Sequence, residues 1–215
     1  MCYTIYRNII CNEFFFHSDA VCKWGTTLQK IIYCSPSKIE WDAQSAFKIT
    51  NYYTQREDHM VFCYLKQYVH NGDLKICTFC FDKEAAGKND LRLCLNLNPV
   101  ISDNYIQLEF GIDGIDKIFK VNGGTLTAIT PDFPVQYHSF SSNDQQGYYW
   151  CGEITLSKEF IRHHFYTCLE EKSIILLNYY KIFSDSDDYA CLFPDEKNDI
   201  SARTDSMQEF VVLNY

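Results

Sequence analysis

The hydrophobic pattern is sharpest between residues 91 and 114. There Leu91, Leu93, Leu95 and Leu97 alternate with Arg92, Cys94, Asn96 and Asn98. Successive side chains on a strand point to opposite faces, so the leucines share one face. After a loop running from Asn98-Pro99 to Ser102-Asp103-Asn104, the alternation resumes. Ile106, Leu108, Phe110 and Ile112 take one face, and Tyr105, Gln107 and Glu109 take the other. Two half-buried strands joined by a short loop predict a β-hairpin.

Strand signals recur on both sides of it, at 46–49, 59–68, 73–81, 115–121, 125–130, 148–156, 173–183, 189–193 and 209–213. Asn122-Gly123-Gly124 marks a turn, and Pro131-Asp132-Phe133-Pro134 opens a polar loop through Gly147. The segment 157–169 has the one helical period: Phe160, Ile161, His164, Phe165, Cys168 and Leu169 fall on one side, behind a capping Ser157. The chain is therefore expected to be all-β, an antiparallel β-sandwich of about ten strands with one short helix. Residues 1–39 are expected to be an N-terminal extension or edge strands, packed on a main domain spanning 40–215.

Composition narrows the function. The net charge of −9 comes without a basic run, which argues against nucleic acid. No apolar stretch approaches the ~20 residues of a membrane helix, so no membrane partner is expected. Eleven scattered cysteines and an N-terminus without a signal-like apolar core point to a cytoplasmic protein with reduced thiols. Oligomeric state is left open.

Candidate chemistry is sparse. Cys77-Thr78-Phe79-Cys80 is a CxxC, but residues three apart on a strand face opposite sides, so its thiols diverge. His163-His164 on a helix point about 100° apart, a poor chelate. Asp185-Ser186-Asp187-Asp188 begins like a calcium loop but lacks the later glycine and bidentate glutamate. Glu109 and Glu153 lie on predicted strands and are the one carboxylate pair considered for glycoside hydrolysis. No nucleophile elbow, P-loop or dinucleotide fingerprint is present, so no enzyme is expected.

Five pieces in order resemble the carbohydrate-binding module family 9-like domains, β-sandwiches related to DOMON domains. They are Ile39-Glu40-Trp41-Asp42 with Phe47-Lys48-Ile49; the strand at 74–81; Tyr105-Ile106-Gln107-Leu108-Glu109-Phe110-Gly111; Trp150-Cys151-Gly152-Glu153-Ile154; and Leu177-Asn178-Tyr179-Tyr180-Lys181, ahead of a closing strand at 209–213. The resemblance implies a non-catalytic module that binds a glycan or small sugar, in some members with structural calcium. It implies a ligand site at Tyr105, Glu109, Trp150, Glu153, Asn178, Tyr180 and Lys181, with Trp41 as a further aromatic. Departures fall on polar positions: Gln107 and Gly111 stand where the family has Asn, and Asn89-Asp90-Leu91-Arg92 replaces its acidic signature. Such losses imply a degraded sugar site, and the alternative is a structural or protein-interaction sandwich without a small ligand. In that bland reading Trp150 fills the core and Glu109 pairs with Lys181.

Overall fold

The computed structural model describes residues 30–54, 56–57, 62–82, 91–130, 132–145, 147–183, 186–194 and 206–215. Strands dominate them: β1 (Lys30–Ser35), β2 (Phe47–Lys48), β3 (Asn51–Tyr53), β4 (Phe62–His70), β5 (Asp73–Asp82), β6 (Leu91–Asn96), β7 (Tyr105–Gly111), β8 (Gly114–Asn122), β9 (Thr125–Ala128), β10 (Val135–Asp144), β11 (Gly147–Leu156), β12 (Ile174–Ile182), β13 (Tyr189–Cys191) and β14 (Gln208–Asn214). The one α-helix among the described residues, α1, is Lys158–Phe165.

The opening hairpin forms as its alternation dictates. Leu91 pairs with Phe110, Leu93 with Leu108 and Leu95 with Ile106, and all six enter the main core. The strands join into one curled sheet in the order β10-β11-β5-β4-β1-β14-β12-β6-β7-β8-β9, with β13, β3 and β2 branching from it. The two wings of this sheet enclose the core. Leu65, Ile76, Trp150 and Ile154 come from one wing, and Leu93, Leu108, Ile175 and Tyr179 from the other. Between β4 and β5, Asn71-Gly72 turns the chain with φ of 51° and 88°. Positive φ at both central residues matches the right-handed twist of the flanking strands, and Asn-Gly is the pair that best tolerates it.

Three expectations need correction. The sheet is mixed rather than strictly antiparallel, because β1 runs parallel to both β4 and β14, and it has 14 strands among the described residues rather than about ten. Segment 1–39 does not supply only edge strands: β1 lies centrally, its Ile31-Ile32 paired with Val211-Val212, while 1–29 lie outside the described residues. The polar loop expected over 131–147 contains β10, a ten-residue edge strand paired along its whole length to β11. Only Val135 and Tyr137 pack on the core and most other side chains are exposed, so its hydrophobic alternation is too short to betray it.

The helix begins where its cap requires. Ser157 is extended, and its hydroxyl accepts from Phe160 N–H at 3.2 Å. Phe160, Ile161 and Phe165 bury one side. Ser157→Ala should lower the unfolding free energy by about 1 kcal/mol, the usual value of such a cap. Urea denaturation would measure it, and a change smaller than about 0.5 kcal/mol, the ordinary range for a surface substitution, would contradict the role.

Candidate functional site

Polar groups gather on the outer face of the wing made by β12, β6, β7 and β8. Strand register sets Tyr180, Arg92, Glu109 and Lys117 in one row, and Asn178, Cys94, Gln107 and Phe119 in the next. Arg92 Nη2 donates to Glu109 Oε1 at 3.0 Å, and Gln107 Nε2 donates to the same oxygen at 2.9 Å. The Arg92 and Glu109 side chains keep 16% and 18% of their surface in solvent, so this row is where the face meets water. Cys94 lies beneath it. Burial pushes its thiol up to about 12, with Arg92 pulling it down and Glu109 pushing it up. At neutral pH it is a protonated thiol and a poor nucleophile.

Next to the row is a closed hydrogen-bond network. Asn178 Nδ2 lies 3.0 Å from each of three acceptors: the Tyr180 hydroxyl, the Phe193 carbonyl and the Ser206 carbonyl. Its Oδ1 accepts from Tyr179 N–H at 2.8 Å and Phe193 N–H at 3.1 Å. The Tyr180 hydroxyl also meets Ser206 Oγ at 3.0 Å. Tyr105 packs with Cys94, Val121, Tyr180 and Tyr189 in a small second core on this side.

Four of the seven residues proposed from sequence therefore share one face: Tyr105, Glu109, Asn178 and Tyr180. The other three do not join them. Trp150 is fully buried in the main core and offers no ring face to solvent. Lys181 lies in the row of Leu91 and Phe110, on the inner face, with its ammonium 5.8 Å from the centre of the Phe183 ring. The ion pair expected between Lys181 and Glu109 does not form, because the two point to opposite sides of the sheet and Glu109 is held by Arg92. Glu153 is on the other wing, where it accepts from Trp41 Nε1 at 2.9 Å. Glu109 and Glu153 thus sit on opposite wings with the core between them, which removes the two-carboxylate cleft. Ser206 was not singled out from sequence, and nothing local marks it. Arg92 could have been, since a hairpin register that opposes Leu91 to Phe110 also opposes Arg92 to Glu109.

The diverging CxxC behaves as its spacing requires: Cys77 packs on the outer face and Cys80 in the core. Of the acidic turn, Asp185 lies outside the described residues, and Asp188 accepts from the Thr54 hydroxyl at 2.6 Å. Among the described residues, no group of three or more His, Cys, Asp or Glu side chains could hold a metal ion.

The fold is similar to that of solved carbohydrate-binding proteins. It is similar to a candidate carbohydrate-binding protein from Bacteroides uniformis ATCC 8492, with a TM-score of 0.63 and 9% identity over 86% of this chain and 97% of that one. It is also similar to a family 9 carbohydrate-binding module from Caldicellulosiruptor kristjanssonii, solved in complex with cellotriose and with glucose. Both comparisons give a TM-score of 0.53 and 14% identity over 86% of this chain, covering 95% and 97% of the module. No protein-family model matches the sequence, and no curated protein does.

Proposed function

We propose that this protein is a non-catalytic carbohydrate-binding module whose ligand seats against the Arg92–Glu109 pair. The observation that carries the reading is a guanidinium and a carboxylate side by side at the solvent edge of the polar face, held from behind by the buried Gln107 amide. Sugar hydroxyls both donate and accept. Glu109 accepts and Arg92 offers several N–H donors in a fixed fork, while the Gln107 amide orients Glu109. Phe119, half-buried in the row of Gln107, supplies apolar surface for sugar C–H groups. The similar module from Caldicellulosiruptor kristjanssonii holds cellotriose and glucose, so these are the first probes.

Titration calorimetry of the full chain against glucose and cellotriose, with a glycan array for breadth, tests the reading. Arg92→Ala and Glu109→Gln should each weaken binding by about 10- to 100-fold, the value of a hydrogen bond to a charged group. Both side chains are partly exposed, so the variants should remain folded. Wild-type affinity retained by both variants would move the ligand elsewhere.

A second reading is a structural or protein-interaction sandwich. It is favoured by the self-sufficiency of the face, since Arg92 and Glu109 pair with each other and the polar groups of Asn178 find partners within the chain. Absence of binding to every glycan on the array, by protein with a cooperative unfolding transition, would establish it over the first.

A further inference from the structure

On the wing opposite the sugar face, two cysteines distant in sequence meet. Cys77 on β5 and Cys151 on β11 place their sulfurs 3.3 Å apart, one thiol donating to the other. The register opposes Cys77 to Glu153 and Cys151 to Phe79, so the thiols are diagonal neighbours on one face of two paired strands. Both are buried, under a cover that includes Trp41 and Ala46. The Tyr64 and Phe79 rings, stacked 5.1 Å apart, belong to the same cluster. A disulfide has an S–S length of about 2.05 Å, so the sulfurs need to close by about 1.25 Å.

We propose that Cys77 and Cys151 form a covalent modification site, a dithiol that a small-molecule disulfide converts into a cross-link between β5 and β11. The Cys77 thiolate attacks one sulfur of the small disulfide and expels its first thiolate, leaving a mixed disulfide on Cys77. The Cys151 thiolate then attacks the Cys77 sulfur and expels the second. The two expelled thiolates take up the two protons that the cysteines release. Two cysteines are oxidised, and one small disulfide is reduced to two thiols. Either cysteine can attack first, since both are buried and either sulfur can be the donor in their contact. In a cytosolic glutathione pool the pair stays reduced, and in an oxidising compartment it closes.

The full chain should be equilibrated in mixtures of reduced and oxidised glutathione, quenched by alkylation and mapped by peptide mass spectrometry. The expected result is a Cys77–Cys151 cross-linked peptide at the oxidising end, absent from C77A and C151A, while Cys63 and Cys80 are alkylated. Those two oppose each other across β4 and β5 in the core and are the competing pair. Refolding in the same mixtures removes reagent access as a reason for a negative result. A stable glutathione adduct on either cysteine, a cross-link between other cysteines, or full alkylation of Cys77 and Cys151 in both arms would overturn the proposal.

Discussion

Replacing Trp150 with alanine should lower the unfolding free energy by about 3–5 kcal/mol, the range for emptying a buried aromatic site. The side chain lies on the inner face of β11, between Cys80 on β5 and Ser141 on β10, and is fully buried. Its fit depends on Gly152. A Cβ at that glycine would come within 3.3 Å of Trp150 Cζ3 and 2.8 Å of the Tyr137 hydroxyl oxygen. The Tyr137 hydroxyl in turn donates to the Gly111 carbonyl on β7, so the indole is packed where the two wings are tied together. The surroundings cannot collapse into the space that alanine leaves without breaking that tie, which places the cost toward the upper end of the range. Trp150 Nε1 has no hydrogen-bond partner among the described residues, so Trp150→Phe gives up volume but no hydrogen bond and should cost less than half as much. Guanidinium denaturation of the three proteins measures the order. An alanine variant of unchanged stability that had lost affinity for cellotriose would return the ring to the ligand site.

Why the sequence placed Trp150 and Glu109 in one ligand site comes down to parity and distance. Strand parity is local and readable. It gave the core face of the 91–114 hairpin and the divergence of Cys77 from Cys80. Applied to β12, it also separates Asn178 and Tyr180 from Lys181, and on β11 it separates Trp150 from Glu153. The resemblance to a family motif joined those residues because they are adjacent in sequence, which on a strand means opposite faces. Long-range pairing is not local. Nothing in residues 30–35 shows that they run parallel to 210–214 at the centre of the sheet. Nor does anything near Cys77 point to Cys151, 74 residues away. The edge strand β10 escaped for a third reason: solvent covers most of it, so its polar run reads as loop although its backbone is fully paired.

The largest effect on the polar face should come from Asn178, although the side chain is fully buried and no ligand can reach it. A carboxamide has two N–H groups, and Asn178 directs them at three acceptors, so at least one bond is shared. Its oxygen takes the Phe193 N–H. This one side chain thereby fixes Phe193 and Ser206 against β12, and the Ser206 hydroxyl steadies Tyr180 in the row of Arg92 and Glu109. Asn178→Leu strands the Phe193 N–H and at least one carbonyl. At about 1–3 kcal/mol for each unsatisfied buried group, the loss is about 2–6 kcal/mol. Asn178→Asp keeps the shape but is no rescue, because it turns an oxygen toward the Phe193 and Ser206 carbonyls where an N–H was. Both variants should lose stability and sugar affinity together, whereas Arg92→Ala should lose affinity alone. Urea unfolding and calorimetry on the same preparations separate the two patterns. Hydrogen exchange should show loss of protection at the Phe193 amide in the Asn178 variants. Normal protection there, with stability intact, would mean that Phe193 and Ser206 are held by something other than this amide.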